Sequence, residues 1–270
     1  MTSFPQIGEH SAPADIAAIY ADIRSASGVP MINLIWRHFA TLTGILPWAW
    51  GSVRPVVASS AMVAARARLA RALVLPPALP RSGTAWREAG VDAADLSRVV
   101  AVLDAYIKGN LTNIIALTGL RRQLERPAPA AILVPGPDAP LVQSTPLDPL
   151  PSIGGLPPVV ADRVRALAAR HDGAGDGVIP SLYLALTPWP GLLAALPDWL
   201  ATLYEPATLR AARSAICVAA EAEASRLLPD IGQPPAGAMD LLPVLHRFTG
   251  LVIPDLIPVC LALRRLTPAG

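Results

Sequence analysis

The sequence predicts an all-α protein made of two related helical halves, packed as one multihelical unit with a cleft between them. Three observations carry that prediction. Apolar residues recur at helical spacing along most of the chain, and no stretch of any length alternates as a strand would. Much of the 53% hydrophobic content is alanine, which favours helices and lets them pack closely. The stretch Gly28 to Trp50, GVPMINLIWRHFATLTGILPWAW, has a weaker copy at Gly177 to Leu196, GVIPSLYLALTPWPGLLAAL. A second pair, the segments from Gly109 and from Gly250, closes each half on two adjacent arginines, Arg121–Arg122 and Arg264–Arg265. These pairs divide the chain into a first repeat over 1–126, a Pro-rich linker over 127–157 and a second repeat over 158–270. Pseudo-twofold symmetry between the repeats is the expectation.

The elements follow in order. A helix starts near Pro13–Asp15, because proline suits a first turn and an acid there complements the dipole. Ile16, Ile19, Tyr20 and Ile23 form its apolar face, and Gly28 and Pro30 stop it. A second helix runs through Met31, Leu34, Ile35 and Phe39, and Gly44 to Pro47 turns the chain. Ser59 to Leu75 is helical up to the prolines 76, 77 and 80. Val91 to Leu124 is the longest helical pattern, with Asp92 as cap, Val99, Leu103 and Ile107 in its stripe, and Gly109 expected to divide it. After the linker come a helix over Pro158–Arg170, a glycine loop over His171–Gly177, the second apolar motif, a helix over Pro206–Leu228 and a terminal helical region.

Composition excludes several classes of function. A net charge of +2 with dispersed arginines does not make a nucleic-acid surface. Cys217 and Cys260 are the only cysteines and form no CxxC, so buried free thiols are expected. The four histidines are scattered without HExxH spacing, and no phosphate loop or dinucleotide fingerprint occurs, so neither a metal nor a cofactor is expected. His171, Asp172 and Asp176 faintly suggest calcium but lack the alternating acids of an EF-hand, which favours a turn. No basic, apolar leader opens the chain, and the apolar stretches Leu182–Pro197 and Phe248–Leu263 fall short of the roughly 20 residues of a span. A cytoplasmic protein with no membrane partner is the expectation, and a homodimer is compatible with it.

Several polar residues in apolar surroundings are candidates for chemistry. Asn110 and Asn113 lie one helical turn apart between apolar runs, where their amides need partners; a substrate, an ordered water or the backbone would each serve. Asp255, in VIPDLIPV, has the most apolar surroundings of any acid. It is either a general base raised by desolvation or an acid complementing a helix start after Pro254. Asn33, Arg37 and His38 decorate the first motif helix, with solvation the plainer account of Arg37 and His38. Tyr183 and Trp189 could wall a pocket or fill the core. Glu221 and Glu223 are placed to pair with Arg66, Arg68 or Arg71 across the halves.

Ile19-Tyr20-Ala21-Asp22-Ile23, Gly28-Val29-Pro30, Leu46-Pro47-Trp48-Ala49-Trp50 and Ser181 to Leu186 leading to Trp189-Pro190 resemble the group I 2-haloacid dehalogenases over nearly the whole chain. The resemblance implies an all-α enzyme of two related halves with its site between them. It also implies an aspartate that activates water to displace halide directly from a 2-halo carboxylic acid. The family's asparagine falls on Asn110, with Asn113 lining the same site, and Ser181, Leu182, Tyr183, Trp36 and Asn33 are the further substrate-binding candidates. The family's aspartate follows a serine, and that position is Leu182 here. Leucine accepts no proton, so a hydrolase needs another carboxylate, Asp255 or Asp176. The alternatives are a non-catalytic binder of a small carboxylic acid or apolar ligand, and a structural scaffold.

Overall fold

The computed structural model describes residues 4–77, 81–130, 147–174 and 178–268. It is helical throughout, with no strand among the described residues. In the first half, α1 (Ala14–Ser27) ends on Gly28, whose left-handed backbone (φ 62°) returns its N–H to the Arg24 carbonyl. The short α2 (Leu34–Phe39) leads to Gly44, again left-handed (φ 73°), and to α3 (Ile45–Val57). The expected turn is thus confined to Gly44. Pro47 lies inside the first turn of α3, where its missing N–H leaves no hydrogen bond unmade. The Ser59 hydroxyl caps α4 (Ser60–Ala72), which ends before the prolines as predicted.

A short helix that the sequence did not announce, α5 (Gly83–Glu88), precedes α6 (Ala93–Glu125). Asp92 caps α6 by accepting the Asp95 N–H at 2.8 Å. Gly109 does not divide α6, which runs unbroken for 33 residues. The glycine serves close approach instead: a Cβ there would sit 3.2 Å from Asn33 Oδ1.

The second half opens, like the first, on a helix followed by a short helix and a longer one. It comprises α7 (Pro158–Ala168), α8 (Ser181–Ala185), α9 (Pro190–Trp199), α10 (Ala201–Tyr204), α11 (Pro206–Arg226), α12 (Leu242–Arg247) and α13 (Ile253–Leu266). A π-helical turn, Phe248–Val252, joins α12 to α13 without a break. Of the expected linker, 131–146 lie outside the described residues, and the rest carries only a 3₁₀ turn at Ile153–Gly155. Helix α6 packs against α13 and α11, and α11 packs on α4, so buried side chains of both halves merge into one core. Two helical stretches are long and apolar enough to cross a membrane, Ala93–Glu125 and Ala238–Leu266. Most of each is buried within the fold, which makes them its central pair.

Candidate functional site

The asparagines of α6 meet the second half in a small polar pocket. Helical spacing points Asn110 and Asn113 the same way, and because α6 is buried along this stretch both amides are kept from bulk water. Asn113 Oδ1 accepts the Trp36 indole N–H at 3.0 Å, and Asn33 Nδ2 reaches Asn110 Oδ1 at 3.5 Å. Ser181 at the start of α8 lines the same pocket, with Phe248, Val252 and Leu256 on its apolar side. The volume is about 30 Å³, room for a water molecule rather than for a three-carbon acid. Asn110 Nδ2 is buried with no acceptor, so this pocket contains a donor awaiting a ligand or a water. Trp36 stands behind the pocket, against a smaller void of about 10 Å³ shared with Asn33, Gly109 and Asn113.

No carboxylate lines this pocket among the described residues. Leu182 is fully buried and apolar, directly after Ser181. Asp255 is also fully buried, but in a different cluster, which corrects the expectation of a general base. Its two oxygens both lie 3.3 Å from Arg213 Nη1, and His171 Nδ1 is 3.8 Å away. The helix-start account of Asp255 falls too, because α13 continues from the π-helical turn and exposes no free N-terminus at Pro254. Tyr183 is likewise placed elsewhere. Its hydroxyl lies 2.6 Å from His171 Nε2 and 3.1 Å from the Tyr204 hydroxyl, and burial raises its pKa well above the usual tyrosine range. Asp176 lies outside the described residues. Among the described residues no group of three or more His, Cys, Asp or Glu side chains could hold a metal.

A second and much larger cavity, about 630 Å³, lies beside the first motif helix. Trp189 lines it, as one reading of the sequence had it, and so do Arg37 and Tyr106. Arg37 and His38 are therefore not a solvated face. His38 is buried with a ring nitrogen 2.9 Å from the Pro5 carbonyl, and burial lowers its pKa. Burial also lowers the pKa of the Arg37 guanidinium. This cavity was not foreseen. A polar-tipped aromatic, Tyr106, set in the apolar stripe of α6 is the one sequence signal that pointed to it.

The remaining motif residues hold the scaffold. Asp22 accepts the Trp50 indole N–H at 2.7 Å and two bonds from Arg54, whose guanidinium keeps the carboxyl below the usual range. Tyr20 donates to the Ile7 carbonyl at 3.0 Å, with burial pushing its pKa up to about 12. The Trp48 indole N–H crosses to the Ile231 carbonyl in the second half at 2.8 Å.

Known proteins of similar sequence and fold carry one name. A configuration-inverting 2-haloacid dehalogenase of Alcaligenes xylosoxydans xylosoxydans is 28% identical over 209 residues, 72% of this chain and 67% of that protein. An (R)-2-haloacid dehalogenase of Pseudomonas putida is 31% identical over 108 residues, 37% of this chain and 35% of that protein. No protein-family model matches the chain. Solved structures show the same fold. A D-2-haloacid dehalogenase in complex with L-LA superposes with a TM-score of 0.83 at 18% identity, covering 97% of this chain and 96% of the other. A mutant in complex with D-2-CPA gives 0.81 at 18% identity, covering 98% and 96%. Fold and sequence together define an all-helical, haloacid-dehalogenase-like protein. In sequence the chain is similar to 2-haloacid dehalogenases, and in fold to D-2-haloacid dehalogenases, at the distance of a divergent relative.

Proposed function

We propose that this chain keeps the dehalogenase architecture but has lost the carboxylate that would activate water, so that its inter-repeat pocket binds without turning over. The observation that carries this reading is the wall of the pocket. Asn33, Asn110, Asn113 and Ser181 supply amide and hydroxyl groups, Leu182 follows the serine, and no described carboxylate reaches them. Removing a general base typically costs about 100- to 10,000-fold in rate. Here the base would also have oriented the water, so hydrolysis of a small 2-halo carboxylic acid would be at best slow. The similar opening triplets, α1–α3 and α7–α9, support a pseudo-twofold pair of repeats with the pocket at their junction. The unpartnered Asn110 amide supports occupation by a water or by an acceptor atom of a small ligand.

Halide release from D- and L-2-chloropropionate, measured for the native chain beside Leu182→Asp, tests the reading. Silence from the native chain with release by Leu182→Asp is the expected outcome, since the restored carboxylate follows Ser181 beside Asn110. Catalytic halide release by the native chain would overturn the reading.

A further inference from the structure

The cavity of about 630 Å³ is distinct from the asparagine pocket, and the two share no lining residue. Its 630 Å³ is the size of a pocket for a drug-sized ligand. The charges around it do not balance. Glu9 is taken by Arg24 at 2.7 Å, and Asp148 by Arg98 at 2.7 Å. Arg37 is left over: its guanidinium makes no ion pair or hydrogen bond among the described residues, and its Nε is buried without an acceptor. Tyr106 lines the same cavity, on a side chain 1% exposed; its hydroxyl makes no hydrogen bond of normal geometry, and Ser181 is the polar side chain beside it.

A half-buried guanidinium whose Nε is shut off from water without an acceptor, beside a buried phenol with no bond of normal geometry, favours an acceptor in the cavity. A planar carboxylate suits a guanidinium fork better than any neutral acceptor does. Around these two donors the wall is apolar, with Met31, Val102, Leu150 and Trp189. We propose that this cavity binds an amphipathic carboxylic acid larger than a 2-haloacid, its carboxylate held by Arg37 and Tyr106 and its apolar body against Met31, Val102 and Trp189. The cavity adjoins the asparagine pocket at Ser181, beside Tyr106, but the proposal does not rest on what that pocket binds.

Isothermal titration of the full chain with octanoate, and with octanamide as the uncharged control, tests it. One octanoate binds per chain, and octanamide binds at least about 10-fold more weakly. Arg37→Gln weakens octanoate by about 10- to 100-fold, the span of a hydrogen bond to a charged group, and Arg37→Lys recovers part of the loss. Tyr106→Phe weakens octanoate as well and removes only a hydroxyl with no bond of normal geometry, so it retains the fold and decides the matter should Arg37→Gln fail to fold. Asn110→Ala leaves octanoate affinity unchanged, while any residual haloacid binding follows that variant and not Arg37. Absence of octanoate binding, equal binding of octanamide, or affinity undiminished by Tyr106→Phe would each overturn the proposal.

Discussion

Asp255 shows how little a residue's neighbours in sequence say about its task. It has the most apolar flanks of any acid in the chain, and it is buried to the last atom. Yet its partners come from α11 and from the loop after α7, as Arg213 and His171. An acid held this way is a structural ion pair. Replacing it leaves the Arg213 Nη1 facing an apolar wall, and breaking a buried pair typically costs about 3–5 kcal/mol. Because Arg213 keeps Asp172 at 2.7 Å, Asp255→Asn is expected near the lower end of that range. Urea unfolding measures it, and octanoate affinity should stay where it was. Tyr106→Phe has a milder expectation for stability: its hydroxyl makes no hydrogen bond of normal geometry and has Ser181 beside it, so the unfolding midpoint should change little.

At the scale of the elements, close approach explains what local propensity could not. Gly109 was expected to break α6, since glycine in a helix interior costs about 1 kcal/mol relative to alanine. The helix accepts that cost because Asn33 sits where a side chain would project. Gly191, in the first turn of α9, is tighter still. A Cβ there would lie 2.5 Å from the Ala89 carbonyl oxygen, a backbone atom that cannot swing aside. Gly191→Ala should therefore lower the thermal midpoint, with about 1–3 kcal/mol as the usual penalty for overpacking. An unchanged midpoint would mean that the turn after α5 yields without cost. Helix starts were easier to foresee, because Ser59 and Asp92 cap through their own side chains within three residues. The union of α12 and α13 through a π-helical turn was not, because no residue there carries a distinct local signal.

Across the whole molecule, charge ties the halves together. Glu223 on α11 accepts two bonds from Arg68 on α4, at 2.9 and 2.7 Å, and a third from Arg226. Glu221 bridges to Arg121 and Arg122 at the end of α6. The pairing of Glu223 with Arg68 was legible from sequence as opposite charges on two predicted helices, whereas the partners of Glu221 were not. The Arg68 guanidinium lowers the Glu223 pKa in the fold. Its contribution to stability is thus fully present above the unfolded carboxylate value of about 4.3 and is lost as pH falls through the lower folded value. Thermal midpoints recorded on acidification should decline through that window, and Glu223→Gln should show a shallower decline from a lower starting point. A parallel acid profile in the two proteins would remove Glu223 from the account.

The sequence by itself determined the helical class, most helix limits and the dehalogenase resemblance, because apolar periodicity, caps and prolines act over a few residues. It also brought Asn33, Asn110, Asn113 and Ser181 to attention, and the structure gathers these four on one pocket. Tertiary structure decided the rest. It sent Asp255 and Tyr183 into a separate buried network with His171, left Arg37 half-buried without an ion pair among the described residues, and opened a cavity of about 630 Å³ marked in sequence by Tyr106 alone. The physical reason is the range of the interactions. Helix formation is settled by neighbours one turn away, whereas the partner of a buried charge and the size of a cavity depend on which distant helices the packed core brings together.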